Sequence, residues 1–436
     1  MNLLADRRGC QADDIRRMGK GAMRLDCQKR LKLPSVHQPN PVLLNIRSRI
    51  TRFCEALLGI RVIAQGGHPQ FGSGDRRGPI DKSDKIQRGS TCRDAMETRA
   101  MSKTILVTGP DLDPAASQVV ADHGYQTVHT PAYADSAVIS EFMRKTGAVG
   151  IVSRMGRVDA EVMDASPQLK VISKHGVGVD NIDIQAAAAR GIPVLVATGA
   201  NAVSVAEHAI ALLLAAVKRI LPLDSGLRAG RWEKPGFSGR EIAGSTMGLM
   251  GMGAIAQATG RIGKGLGLKL IGYDPYAPDS AFEALGATRC ATFEDMLTQT
   301  HILSLHCPLT DKTRGILNAD ALARMPAGGY VINTARGGLI DEAALVASIQ
   351  SGHLAGAGLD TFAVEPPAPD HPFFAVPEII LTPHIGGVTR QAGARVGVDA
   401  VRGIFQILDG QLIAPERIIN RKLLEASQAS LASVEK

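Results

Sequence analysis

Met247-Gly-Leu-Met-Gly251-Met-Gly253-Ala-Ile-Ala256, then the helix-forming stretch Gln257 to Gly265, then the apolar run Lys269-Leu-Ile-Gly-Tyr273 ending at Asp274, decides the fold of this 436-residue chain. The order is strand, glycine turn, helix, strand, acid, which is the pattern of a dinucleotide site. Gly251 and Gly253 permit a tight turn and let a pyrophosphate approach a helix N-terminus closely. Ala256 stands at the third position, a replacement that close helix–strand packing accepts. Asp274 lies 23 residues after Gly251, where a carboxylate receives both ribose hydroxyls and repels a 2′-phosphate, favouring NAD over NADP. In a chain with 47 glycines a lone glycine turn would be ordinary; the register of all five features carries the reading.

On either side of this unit the same alternation continues. Thr104-Ile-Leu-Val-Thr108 is a short β-branched strand closed by Gly109-Pro110, and Met101 just before it has the look of a natural start. Further candidate strands are Ala148 to Val152, Val171 to Lys174, Ile302 to His306, Tyr330 to Asn333, Gly356 to Leu359 and Ile379 to Thr382, with helical stretches between them. This predicts an α/β protein with doubly wound parallel sheets. No internal repeat interrupts it.

Residues 1–100 differ. They carry 20 Lys+Arg against 10 Asp+Glu, so the formal charge of +7 reverses to 29 against 32 over residues 101–436. The basic character therefore belongs to the first hundred residues and does not argue for a nucleic-acid partner. This segment shows no sustained period, and its acids Asp6, Asp13, Asp14 and Asp26 are wrong for a transit peptide. Two readings stay open, a disordered extension or upstream sequence translated from an early start codon. Cys10, Cys27, Cys54 and Cys92 lie there, and only Cys290 and Cys307 follow. With no CxxC pair or Cys/His ligand spacing, no metal site is expected, and reduced thiols point to the cytoplasm. The longest apolar run, Ala209 to Val217, is far short of the roughly 20 residues that span a bilayer, so a soluble protein is expected.

Three polar residues stand just past three successive candidate strands, where open α/β sheets bind ligands. Arg336 follows Tyr330-Val-Ile-Asn-Thr-Ala335, Glu365 follows Gly358-Leu-Asp-Thr-Phe-Ala-Val364, and His384 follows Ile379-Ile-Leu-Thr-Pro383. Singly they suit a solvated loop, a surface acid and a loop cap. Together they supply what oxidation of a 2-hydroxy acid requires. A guanidinium grips the carboxylate bidentately, an imidazole takes the hydroxyl proton, and a carboxylate fixes the imidazole and favours its charged form.

Residues 101 to about 425 resemble the D-isomer-specific 2-hydroxyacid dehydrogenase family, near its phosphoglycerate dehydrogenase and hydroxypyruvate/glyoxylate reductase branches. Besides the glycine turn, the matching segments are Lys174-His-Gly-Val-Gly-Val-Asp-Asn-Ile-Asp183, Asn201-Ala-Val-Ser-Val-Ala-Glu-His208, Ser304-Leu-His-Cys-Pro-Leu-Thr310, Asn333-Thr-Ala-Arg-Gly-Gly338 and Thr382-Pro-His-Ile-Gly-Gly387. The resemblance implies two Rossmann-like or flavodoxin-like lobes with the nucleotide domain inserted into the substrate domain. Residues 101–202 and 388–425 would form the substrate lobe, 203–387 the nucleotide lobe, and 426–436 a tail. It also implies a pyrophosphate near Ala254 and Ile255, a nicotinamide near Thr334, Ala335, Arg336 and Asp360, and cofactor contacts from Pro308, His384 and Gly386. Val177 and Gly178 would bind the substrate carboxylate through their backbone beside Arg336. Family members are commonly homodimers paired through the nucleotide lobe, with Val205 to Val217 a candidate contact or a plain buried helix. The chain leaves no room for the C-terminal regulatory domain of the longer phosphoglycerate dehydrogenases, so serine feedback through such a domain is not expected.

Formate dehydrogenases share the fold but move only hydride and lack the acid partner, so Glu365 argues against that chemistry. Corepressors resembling this family bind NAD mainly to sense redox state, and the Arg/Glu/His set does not exclude them. Arg154, Arg157 and Lys174 could meet a substrate phosphate, as in 3-phosphoglycerate, or be ordinary surface charge.

Overall fold

A computed structural model describes residues 103–434, so the expectations for residues 1–100 lie outside the described residues. The first sheet is parallel and five-stranded, built from β1 (Thr104–Thr108), β2 (Gln126–His129), β3 (Gly150–Ser153), β4 (Val171–Lys174) and β5 (Val194–Val196), in the order β2-β1-β3-β4-β5. The second holds β6 (Thr246–Met250), β7 (Lys269–Tyr273), β8 (Thr288–Arg289), β9 (Ile302–Leu305), β10 (Gly329–Asn333), β11 (Leu354–Leu359) and β12 (Ile379–Leu381), also parallel, in the order β12-β11-β10-β9-β6-β7-β8. Helices cover both faces of each sheet, so β1, β3 and β10 are buried along their whole length. That is why they read in sequence as continuous apolar runs rather than alternating ones.

The chain leaves the first sheet after β5 and enters the second lobe through the helix Ala202–Val217. Its residues Ala209, Leu212, Leu213 and Ala216 are buried among Met247, Leu249, Ile332 and Ile380 of the second sheet. It returns through the helix Arg390–Leu408, whose Ala400, Val401, Ile404 and Phe405 pack on Ile105, Val107, Val171 and Leu195 of the first sheet. The second lobe is thus inserted into the first. The two crossings run side by side. Ser204 Oγ and Thr389 Oγ1 are 2.8 Å apart, Arg395 Nε donates to the Ala200 carbonyl at 2.9 Å, and a Cβ on Gly387 would lie 3.0 Å from Asn201 Nδ2.

After Asn420, whose buried amide bonds the backbone of Ile192 and Val194, the chain closes in the helix Arg421–Val434. That helix runs through residue 426, where the expected tail begins. Among the described residues no helix is long and apolar enough to cross a membrane.

Candidate active site

In the second sheet the winding reverses between β6 and β9, and ligands of open α/β sheets lie past the strand ends at such a reversal. The turn after β6 sits there. Gly251 has φ of +96°, and a Cβ on it would come within 3.0 Å of the His306 carbonyl, so only glycine fits between β6 and the loop after β9. Gly253 precedes the helix Ala254–Gly265 without any side-chain cap, and nothing lies within 4 Å of where its Cβ would stand. Gly253 and Ala254 are exposed and no side chain caps the helix start, which leaves room for an anion there. Ala256 is fully buried, and at Gly260 a Cβ would meet Leu285 at 2.6 Å, so the helix packs closely. Asp274 stands at the end of β7, with Oδ2 accepting from the Met252 amide at 2.9 Å and Oδ1 from the Tyr276 and Ala277 amides at 2.9 and 3.2 Å. Its carboxylate is fixed beside the turn.

A second set of groups lies past β10, β11 and β12. Asn333, fully buried, accepts from the Ala335 amide at 2.9 Å and donates to the Arg336 carbonyl at 2.8 Å, shaping the loop that carries Arg336. A Cβ on Gly337 would strike the Phe362 carbonyl, so this loop lies directly on the one after β11. Arg336 reaches across to the first lobe. Its Nε donates to Asp180 Oδ2 at 2.8 Å and its Nη1 to the Ala335 carbonyl at 2.6 Å, while no hydrogen bond of Nη2 to a described residue is found. A Cβ on Gly178 would fall on Nη2, so glycine is what admits the guanidinium beside the backbone of Val177 and Gly178. Burial pushes the Asp180 carboxyl up, but the charge and hydrogen bond of Arg336, a backbone amide and the charge of Lys174 together hold the group below its ordinary value.

Past β12, His384 adopts φ of +52°, a left-handed conformation costly for a residue with a Cβ. Its Nδ1 lies 2.7 Å from Glu365 Oε2, and Glu365 Oε1 accepts from the Phe362 amide at 3.1 Å. An ionised carboxylate only accepts, so Nδ1 carries the proton and Nε2 is left free for a ligand. Burial raises the Glu365 carboxyl, yet the hydrogen bond and charge of His384, the Phe362 amide and Arg336 together bring it below its ordinary value. Arg336, Glu365 and His384 thus lie past three adjacent strands, on the side where the first lobe contributes Val177, Gly178 and Asp180.

The other expected contacts fall around this cleft. Thr334 Oγ1 is buried with no hydrogen-bond partner, as are Thr361 Oγ1 and Asn201 Oδ1; unpaired buried hydroxyls and amides fit a bound polar ring such as a nicotinamide carboxamide. Pro308 lies in the loop after β9, its carbonyl accepting from Thr313 Oγ1. Gly386 donates its amide to Asp360 Oδ2 at 2.8 Å. The uncapped helix, the glycine turn, Asp274 and the unpaired Thr334 together suit a dinucleotide. His306 beside the turn is pushed down to about 4 by burial and is therefore neutral, and burial pushes the Cys307 thiol up to about 11. Neither is poised as base or nucleophile at neutral pH.

The three cations considered for a phosphate are turned inward or toward neighbouring acids. Arg154 Nη1 donates to the Pro110 and Asp111 carbonyls, Lys174 Nζ to the Arg154 carbonyl and Asn181 Oδ1, and Arg157 lies 3.6 Å from Asp159. Burial, then the charge of Arg336, brings Lys174 down to about 8. Sequence reasoning gave no role to Asp180, Asn333 or His208; the sign for Asp180 was its place two residues after Gly178, in the glycine-rich loop facing Arg336.

Comparison with known proteins supplies the family. Residues 210–386 match the model of the D-isomer specific 2-hydroxyacid dehydrogenase, NAD binding domain. The chain is 42% identical over 256 residues to D-3-phosphoglycerate dehydrogenase of Mycobacterium leprae, covering 59% of this chain and 48% of that one, so it spans about half the length of that relative. It is 39% identical to hydroxypyruvate reductase of Thermotoga maritima, covering 59% of this chain and 84% of the other. The crystal structure of the TT0316 protein from Thermus thermophilus superposes with a TM-score of 0.65 at 35% identity, over 71% of this chain and 97% of that one.

Proposed function

The chain belongs to the D-isomer-specific 2-hydroxyacid dehydrogenase family, and on that premise we propose that it is an NAD-dependent oxidoreductase interconverting a small D-2-hydroxy acid and its 2-keto acid. In this reading residues 203–387 bind the nucleotide, and residues 101–202 with 388–425 bind the substrate. The observation that carries the proposal is the His384–Glu365 contact at 2.7 Å on the same cleft as the unshared Nη2 of Arg336.

Bound NADH supplies the hydride that reaches C2. Arg336 and the amides of Val177 and Gly178 hold the substrate carboxylate, orienting C2 and polarising its oxygen. His384 Nε2 gives that oxygen its proton in reduction and removes it in oxidation. Glu365 keeps the imidazole's other nitrogen protonated and balances the charge when both nitrogens carry protons. Thr334, Ala335 and Asp360 would line the nicotinamide, Ala254 and Ile255 the pyrophosphate, and Asp274 the ribose.

Arg154 and Lys174, engaged by backbone carbonyls and Asn181, and Arg157, beside Asp159, favour an unphosphorylated substrate. Measured by NADH oxidation, kcat/KM for hydroxypyruvate and glyoxylate should exceed that for 3-phosphohydroxypyruvate. Tight NADH binding without turnover of these or of pyruvate would instead favour a redox-sensing binding protein.

We further propose a cytoplasmic homodimer. The helix Ala202–Val217 buries Ala209, Ile210, Leu212, Leu213, Ala216 and Val217 within its own lobe, so the pairing surface is better assigned to the segment that follows. Ile220, Leu221, Leu227, Phe237 and the 71% exposed Trp232 are uncovered there, an apolar patch of the kind that marks an interface. Light scattering should give a dimer mass, and Trp232→Glu a monomer; a monomeric wild type would refute the assignment.

A further inference from the structure

Asp360, 1% exposed, has a carboxylate engaged on both oxygens by donors from the turn that carries His384. Oδ1 accepts from Thr382 Oγ1 at 2.6 Å and from the Ile385 amide at 2.9 Å, and Oδ2 from the Gly386 amide at 2.8 Å. The Asp360 carbonyl accepts from the His384 amide at 2.8 Å. The left-handed backbone at His384 is therefore gripped on both sides by one buried residue. A strained conformation persists only where its surroundings over-determine it, and these bonds do so.

One further residue enters this grip from a distant element. His208 Nε2 lies 2.9 Å from Thr382 Oγ1 and 3.3 Å from Asp360 Oδ1. Thr382 has one hydroxyl proton and gives it to the acceptor-only carboxylate, so it must accept from His208, and Nε2 must carry a proton. The ring also lies against the turn, since a Cβ on Gly386 would sit 3.4 Å from His208 Cδ2. His208 stands in the second turn of the helix Ala202–Val217, which begins at the crossing between the lobes. Ser204, one turn earlier, contacts Thr389 of the other crossing.

We propose that His208 is a positioning residue for His384. The chain His208 Nε2–H to Thr382 Oγ1–H to Asp360 Oδ1 holds the turn that aims the His384 imidazole, and joins that turn to the helix leading from the lobe crossing. This rests on the reading of His384 as the proton-transferring group.

The test compares His208→Leu, His208→Gln and Thr382→Val in the full chain. His208→Leu should lower kcat about 10- to 100-fold, the scale of a small misplacement of a reacting group, while the KM for keto acid and the Kd for NADH change little. His208→Gln, whose amide can still donate, should recover most of the loss. His208→Leu and Thr382→Val combined should cost no more than the worse single change, because both break one chain. In NMR spectra without substrate, the His384 ring signals should shift and broaden in His208→Leu and return in His208→Gln. Equal losses in the Leu and Gln variants, additive losses, or unmoved His384 signals would each overturn the proposal. A wild type inactive on every keto acid would defeat the functional reading, and the ring signals would still decide this one.

Discussion

The guanidinium of Arg336 crosses from one lobe to the other, and that single reach sets the expected consequences of change. Arg336→Ala should raise the KM for keto acid and lower kcat while the Kd for NADH is largely kept, because the side chain lies beyond the glycine turn. Gly178→Ala should do much the same without touching a charge, since its Cβ would occupy the place of Nη2; a fully active Gly178→Ala would show that the guanidinium does not need that position. His384→Ala should cost at least the roughly 10²-fold typical of lost acid–base catalysis. Glu365 sets a pH dependence. Its carboxyl is held below its ordinary value in the folded chain. The stability contributed by its charge is complete above the unfolded value and is lost as pH falls through the folded one. Thermal melts of wild type and Glu365→Gln should accordingly differ at neutral pH and converge only as acid protonates the lowered carboxyl; a constant difference down to the lowest pH would contradict the pairing.

Among the elements, the turn between β6 and the helix Ala254–Gly265 is the one whose geometry tolerates least. Gly251→Ala should destabilise the fold by about 1–3 kcal/mol through its left-handed backbone and weaken NADH binding, both readable by melts with and without NADH; an unchanged Kd would show that the turn does not cradle the dinucleotide. This element was legible because every feature it needs is local in sequence. So were the strands of the sheet interiors, whose two-sided burial leaves unbroken apolar runs. β2, β5 and β8 were not read: β2 is a half-exposed edge, β5 has three residues, and β8 is an exposed pair, Thr288–Arg289. The start of β3 also moved, from Ala148 to Gly150, since the turn residue Gly147 ends the preceding helix and Ala148 and Val149 serve as the connection.

At the scale of the whole molecule, the site is made by bringing together segments far apart in the chain. Arg336, Glu365 and His384 could be picked out because each follows its own strand. Their partners could not. Asp180 is 156 residues from Arg336, and His208 is 174 from Thr382; sequence spacing holds no trace of such pairings until both sheets are in place. The insertion of one lobe into the other puts the two crossings together, and that is what sets His208 beside the turn of His384 and Gly178 beside Arg336. In the proposed reaction this cleft delivers hydride to one face of C2 with a proton from His384. The most direct measurement is chiral analysis of the product from hydroxypyruvate and NADH. D-glycerate should form in step with NADH consumed, and almost none of it with His384→Ala; L-glycerate, or product formation independent of His384, would contradict this chemistry.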